Sequence, residues 1–143
     1  MKTETVTILL VEDDKVDVMA VKRAFKELRI ANPLVIAKDG VAALDLLRGT
    51  NGCEKLPPPH LVMLDLNMPR MGGIEFLQVL RSDPALSKTI VFVLTTSDAP
   101  EDRDAAYDKY ISGYVLKMQP GESFIEAISM IEHYWKIIEF PAT

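Results

Sequence analysis

Five short apolar runs alternate with longer amphipathic stretches along the 143 residues of this chain. The runs occupy residues 6–11, 34–37, 61–64, 90–94 and 114–116. They are rich in Val, Ile and Leu and do not alternate with polar residues, which indicates strands buried on both faces. The stretches between them repeat apolar residues at helical spacing. Strict alternation of strands and helices predicts an α/β fold, a doubly wound parallel five-stranded sheet with helices on both faces.

Composition excludes several classes of protein. The net charge is −5, with 21 acidic and 16 basic residues, which argues against a nucleic-acid partner. A single cysteine, Cys53, leaves no internal disulfide and fits a reducing compartment. No apolar run approaches the roughly 20 residues of a membrane span, and the first residues lack the apolar segment of a secretion signal. We therefore expect a cytoplasmic protein with no membrane partner.

Polar side chains follow four of the five apolar runs. They are Glu12, Asp13 and Asp14 after the first run, Asp65 and Asn67 after the third, Thr95 after the fourth and Lys117 after the fifth. The carboxyl ends of parallel strands share one edge of a sheet, so these groups converge. Carboxylates brought together raise one another's pKa, and a hard divalent cation such as Mg²⁺ relieves the repulsion. Asp14 is instead expected to cap the following helix.

The same edge has the groups that phosphoryl transfer requires. A carboxylate beside Mg²⁺, a Lys ammonium and a Thr hydroxyl can accept a phosphoryl group, because the cations neutralise the charge on the transferring oxygens. Lys117 and Thr95 supply the ammonium and the hydroxyl. Asp65 follows the middle strand, and aspartyl phosphates are known covalent intermediates. Asp65 is therefore the candidate nucleophile.

Four motifs together resemble the receiver domain of bacterial two-component response regulators. They are residues 8–14 (ILLVEDD), 64–69 (LDLNMP), 94–97 (LTTS) and 113–117 (GYVLK). The order and spacing of all four make the resemblance specific, and it covers residues 5–139. It implies a flavodoxin-like (βα)₅ fold with strand order 2-1-3-4-5. It also implies one receiver domain over residues 5–139, with only a short tail at 140–143 and no output domain.

The resemblance also assigns the metal site. It implies that Glu12 and Asp13 form an acidic pair, with Asp13 a direct Mg²⁺ ligand. Asp65 and the backbone carbonyl of Asn67 complete the expected ligand set. Asp65 would accept its phosphoryl group from the phosphohistidine of a sensor histidine kinase.

The remaining motif residues have roles in phosphoryl binding and switching by the same resemblance. Thr95 and Lys117 would hold the phosphoryl oxygens, and Thr95 and Tyr114 would move on phosphorylation. One departure concerns the residue after Lys117, where the family usually has a proline, often after a cis bond. Here that residue is Met118, and a cis bond before it would cost about 3 kcal/mol, so we do not expect the family's cis bond.

The function that the resemblance implies is that of a single-domain response regulator, which catalyses its own phosphorylation and dephosphorylation and signals by protein contact. The alternative is a phosphorelay intermediate that passes the group to a histidine phosphotransfer protein. A haloacid-dehalogenase-like phosphatase would need an Asp at the position of Asn67. A flavodoxin-type binding module would need a phosphate-binding loop after the first strand, where three acidic residues stand instead.

The last helix has a wider apolar face than one sheet requires. Its two apolar stripes are Phe124, Ile128, Ile131, Trp135 and Ile138, and Ala127, Met130, Tyr134 and Ile137. Together they span roughly 160°, against about 100° for a helix on one sheet face. We expect the surplus, with strand five, to form a homodimer or a kinase contact, unless the tail at 140–141 covers it. The long loop at 49–59, the absent proline and the Tyr134–Trp135 pair are similar to receivers paired with phytochrome-type kinases.

Overall fold

The computed structural model describes residues 5–117 and 122–141, and within them five strands alternate with five helices. The strands are β1 (Thr7–Val11), β2 (Leu34–Ala37), β3 (His60–Leu64), β4 (Ile90–Thr95) and β5 (Gly113–Leu116). The helices are α1 (Lys15–Glu27), α2 (Gly40–Arg48), α3 (Gly73–Ser82), α4 (Pro100–Tyr107) and α5 (Glu122–Ile137). Each predicted apolar run contains or forms the core of one strand, which confirms the predicted α/β class.

The strands form one parallel sheet in the order β2-β1-β3-β4-β5. Val11 at the end of β1 pairs with Leu64 at the end of β3. Thr95 at the end of β4 pairs with Leu116 at the end of β5. The carboxyl ends of four neighbouring strands therefore meet at one edge, and the predicted flavodoxin-like topology is confirmed.

Two apolar layers cover the sheet because successive strand residues point to opposite faces. Leu9 and Val11 of β1 belong to a layer with the buried residues of α2, α3 and α4. Ile8 and Leu10 belong to the other layer, with the buried residues of α1 and α5. Burial on both faces explains why the strands read as uninterrupted apolar runs.

Helix α5 buries one of its two predicted apolar stripes. The buried residues are Phe124, Ile128, Ile131 and Trp135. On the second stripe, Tyr134 packs edge-on against Phe92 at a centroid distance of 4.9 Å. Met130 and Ile137 are 48% and 79% exposed. Phe140 of the tail packs against the layer formed by α1 and α5, yet this leaves Met130 and Ile137 uncovered.

Two sequence-based expectations concern membrane association and the bond after Lys117. Among the described helices, none is both long enough and apolar enough to cross a membrane. The peptide bond between Lys117 and Met118 lies outside the described residues.

Candidate functional site

The acidic edge is set by backbone pairing that continues one residue past the strands. The N–H of Asp65 donates to the Val11 carbonyl at 3.0 Å, and the N–H of Glu12 donates to the Ala37 carbonyl at 2.8 Å. Asp14 then turns the chain into α1, because its carboxylate accepts from the backbone N–H of Val16 at 2.8 Å. The predicted capping role of Asp14 is confirmed.

Three carboxylates of this edge lie close enough to share one cation. Glu12, Asp13 and Asp65 each offer an oxygen, and these atoms all lie within 4.8 Å of one another. Glu12 and Asp65 are buried, whereas Asp13 is exposed. An oxygen-only donor set with one face open to solvent fits a hard divalent cation that keeps some of its water.

The electrostatics of the two buried carboxylates support the same fit. Burial raises the pKa of Glu12 to about 7, although Lys117 opposes the rise. Burial also raises the pKa of Asp65, against hydrogen bonds from the Thr95 hydroxyl and from the N–H groups of Leu66 and Asn67. Both groups thus lie where a bare negative charge is disfavoured. A bound cation would remove that penalty.

The side chain of Lys117 lies among these carboxylates and is only 7% exposed. Its Nζ donates to Glu12 and, at 2.9 Å, to Oδ2 of Asp17. The distance from Nζ to Oδ1 of Asp65 is 3.8 Å. Burial lowers the pKa of Lys117, but the hydrogen bonds to Glu12 and Asp17 outweigh it, so the pKa of Lys117 is raised and the ammonium keeps its charge.

Asp17 is a site residue that the sequence motifs do not single out. It lies in the first turn of α1, one turn after the capping Asp14. The first turn of that helix faces the same sheet edge as Glu12, so an acidic residue there was the available signal. The structure adds this fourth carboxylate to the three predicted at the edge.

Thr95 and Tyr114 converge on the loop between β4 and α4. Thr95 is fully buried and hydrogen-bonds Asp65, and its hydroxyl oxygen accepts from the N–H of Ser97 at 3.3 Å. The Tyr114 hydroxyl donates to the Ser97 carbonyl at 2.8 Å. The Ser97 hydroxyl donates to Asp102 at 2.5 Å. The two predicted switch residues therefore hold one loop residue from two adjacent strands.

The loop from β3 to α3 contains the last predicted ligand, Asn67, whose side chain is exposed. Gly73 closes this loop against the strand, because a Cβ there would come within 2.6 Å of the Asp65 carbonyl. Arg70 ties the loop to the cap of α2 through two hydrogen bonds to Asp39, at 2.8 and 3.1 Å. Although burial opposes it, this contact holds the pKa of Asp39 below its ordinary value.

The sequence matches the response regulator receiver domain over residues 8–129. The chain belongs to this family. It is 35% identical over 136 residues to the response regulator Rcp1 of Synechocystis sp., and the match covers 94% of this chain and 92% of Rcp1. The predicted resemblance to receiver domains is confirmed.

Two solved structures have the same fold over nearly the whole chain. The Mn²⁺-bound form of Rcp1 aligns with a TM-score of 0.85 at 35% identity, covering 97% of this chain and 100% of Rcp1. The phosphorylated cyanobacterial phytochrome response regulator RcpA aligns with a TM-score of 0.88 at 30% identity, with the same coverage of 97% and 100%. The predicted similarity to phytochrome-associated response regulators is thereby confirmed.

Proposed function

We propose that this chain is a single-domain response regulator of a two-component system that accepts a phosphoryl group on Asp65. The observation that supports the proposal is the convergence of Asp65 with Glu12, Asp13, Thr95 and Lys117 at one sheet edge. These five residues lie at the ends of four strands, β1, β3, β4 and β5, or directly after them. No single motif places them together; the parallel topology does.

The proposed reaction transfers a phosphoryl group from a histidine nitrogen of the kinase to a carboxylate oxygen of Asp65. A carboxylate oxygen of Asp65 attacks the phosphorus of a kinase phosphohistidine, and the O–P bond forms as the N–P bond breaks. The imidazole nitrogen keeps the electron pair of the broken bond. Lys117 and Thr95 lie where an ammonium and a hydroxyl can donate to the phosphoryl oxygens on which negative charge collects.

The cation in this reaction is proposed to be Mg²⁺. Glu12, Asp13 and Asp65, with the backbone carbonyl of Asn67, would hold it. When bound, it would neutralise the carboxylates and the incoming phosphoryl oxygens, which otherwise repel one another. Rcp1 has been crystallised with Mn²⁺, a divalent cation of related chemistry, and this supports the assignment.

The output is proposed to be a change in protein contact. A phosphoryl group on Asp65 competes for the Thr95 hydroxyl, and the Ser97 backbone connects that hydroxyl to Tyr114. New hydrogen bonds to phosphate can bias a loop between two arrangements.

The exposed apolar stripe with Met130 and Ile137 supports a homodimer through α5 and β5. Light scattering on the native and the phosphorylated chain tests this proposal. A monomer in both states would contradict the dimer.

The partner is proposed to be a phytochrome-type sensor histidine kinase. RcpA is described as a phytochrome response regulator, and this chain covers its whole length. The alternative is a phosphorelay in which the group passes on to a histidine phosphotransfer protein. A sensor histidine kinase phosphorylates its own histidine with cytoplasmic ATP, so we place the chain in the cytoplasm.

The decisive experiment measures intact protein mass after incubation with a small acyl phosphate, with and without Mg²⁺. We expect a Mg²⁺-dependent, hydroxylamine-sensitive phosphoryl adduct on the native chain and none on Asp65→Asn. Asp108→Asn, which changes an exposed carboxylate at the end of α4, is the matched control and should behave like the native chain. An adduct retained by Asp65→Asn would contradict the assignment, as would its absence from a native chain that binds Mg²⁺.

A further inference from the structure

Lys117 is bound more closely to Asp17 than to the proposed phosphoryl acceptor. Its Nζ lies 2.9 Å from Oδ2 of Asp17 but 3.8 Å from Oδ1 of Asp65. The first distance is that of a charge-assisted hydrogen bond, and the second is too long for one. Two of the three ammonium protons are therefore directed to Glu12 and Asp17. The ammonium lies on the α1 side of the site.

Phosphoryl transfer requires a different arrangement of this ammonium. To stabilise charge on a phosphoryl group attached to Asp65, Lys117 must donate a hydrogen bond to a phosphoryl oxygen. At present its Nζ lies 3.8 Å from Oδ1 of Asp65 and donates elsewhere. Glu12 is almost fully buried, so water cannot replace the ammonium there. Asp17 is 35% exposed, so water can replace the ammonium there. The contact with Asp17 is the easier one to break.

We propose that Asp17 is a positioning residue that holds the Lys117 ammonium away from Asp65 until a phosphoryl group arrives. Lys117 then exchanges the Asp17 carboxylate for a phosphoryl oxygen while it keeps Glu12. This inference rests on the proposed phosphorylation of Asp65 and adds a restraint on its rate. Asp17 lies outside the group of three carboxylates that fit the cation. Its effect should therefore appear in the transfer rate and not in cation binding.

The test compares Asp17→Asn with Glu27→Gln and Asp17→Glu. Glu27 is an exposed carboxylate at the far end of the same helix, so its change alters the net charge equally and serves as the matched control. Adduct formation is followed by intact mass over a range of acyl phosphate concentrations at saturating Mg²⁺. We expect the maximal rate of Asp17→Asn to rise roughly two- to fivefold, the range of a partly exposed ion pair. Glu27→Gln should match the native rate, and Asp17→Glu should largely restore it.

A second readout needs neither phosphodonor nor cation. Loss of the Asp17 contact should speed the exchange of the Lys117 ammonium protons with water, measured by ¹⁵N NMR, in Asp17→Asn but not in Glu27→Gln. Unchanged exchange, or an unchanged or lower maximal rate, would overturn the inference. Asp17→Asn could instead lower only the donor concentration that gives half the maximal rate, with salt abolishing this change. That result would reveal general charge attraction and would also overturn the inference. Failure of the proposed function is distinguishable, because the native chain would then form no adduct.

Discussion

Arg81 connects three segments of the chain around the end of α3, and its replacement should destabilise the fold strongly. Its Nε donates to the Lys109 carbonyl at 2.7 Å, and its Nη2 donates to the Tyr110 carbonyl at 3.0 Å. Its Nη1 donates to the carbonyls of Ser87 and Thr89, both at 2.8 Å. One guanidinium thus joins the α3–β4 and α4–β5 connections to the same helix.

The expected magnitude follows from these four acceptors. A hydrogen bond from a charged donor contributes about 1.5–3 kcal/mol when its partner stays buried. Tyr110 is exposed, so its carbonyl can be rehydrated, and the others are only partly buried. The full sum is therefore not lost. We expect Arg81→Gln to lower the free energy of unfolding by about 2–4 kcal/mol and Tm by roughly 10 °C.

Urea unfolding followed by Trp135 fluorescence measures this loss, because Trp135 is buried in the layer with α1. Arg103→Gln is the matched control, since Arg103 is exposed and makes one long contact of 3.4 Å with the Asp98 carbonyl. It should cost less than about 0.5 kcal/mol. Arg81→Lys keeps the charge but not the planar set of donors and should fall between the two. If Arg81→Gln were no more destabilised than Arg103→Gln, water would be satisfying all four carbonyls and the reasoning would fail.

Two further predictions concern the cation and the pH dependence of stability. Mg²⁺ at ten times its Kd should add about 1.4 kcal/mol to the free energy of unfolding of the native chain, which corresponds to a Tm rise of roughly 3–5 °C. The Asp13→Asn variant should lose most of this stabilisation. Equal stabilisation of the two chains by Mg²⁺ would exclude Asp13 as a ligand. Burial lowers the pKa of His60, so the unfolded chain binds the proton more tightly and stability is lost as pH falls below about 6.5. The stability of the native chain relative to His60→Gln should therefore decrease between pH 8 and pH 5, with His133→Gln as the exposed control, and a constant difference would contradict this.

The strands and the convergence at their ends were predictable because both follow from burial. A strand covered on both faces has no solvent side, so its sequence cannot alternate, and the apolar run 34–37 coincides with β2. The other strands differ from their runs by one residue at an end. Parallel pairing then brings every polar residue that follows a strand to the same edge, without any knowledge of side-chain geometry.

The contacts of Asp17 and Arg81 could not be predicted in the same way. The contact between Asp17 and Lys117 joins residues 100 positions apart and depends on how α1 is rotated against the sheet. Sequence periodicity places Asp17 in the first turn of a helix near the acidic edge, but it does not identify Lys117 as its partner. The partners of Arg81 are backbone carbonyls, which every residue has, so they leave no signature in the sequence. The partners of both residues are visible only in three dimensions.

The Thr95 hydroxyl connects Asp65, the proposed phosphoryl acceptor, to the loop between β4 and α4. Thr95 has a single proton to donate, and it is used on Asp65. If Asp65 is phosphorylated as proposed, a phosphoryl oxygen that takes this proton would change the direction of a hydroxyl whose oxygen also accepts from Ser97. Ser97 in turn contacts Tyr114 through its carbonyl and Asp102 through its side chain, so a movement of the loop would change its contacts with β5 and α4. We infer that the charge at the buried Asp65 and the conformation of this loop are coupled through Thr95. The single proton of its hydroxyl cannot be donated to the Asp65 carboxylate and to a phosphoryl oxygen at once.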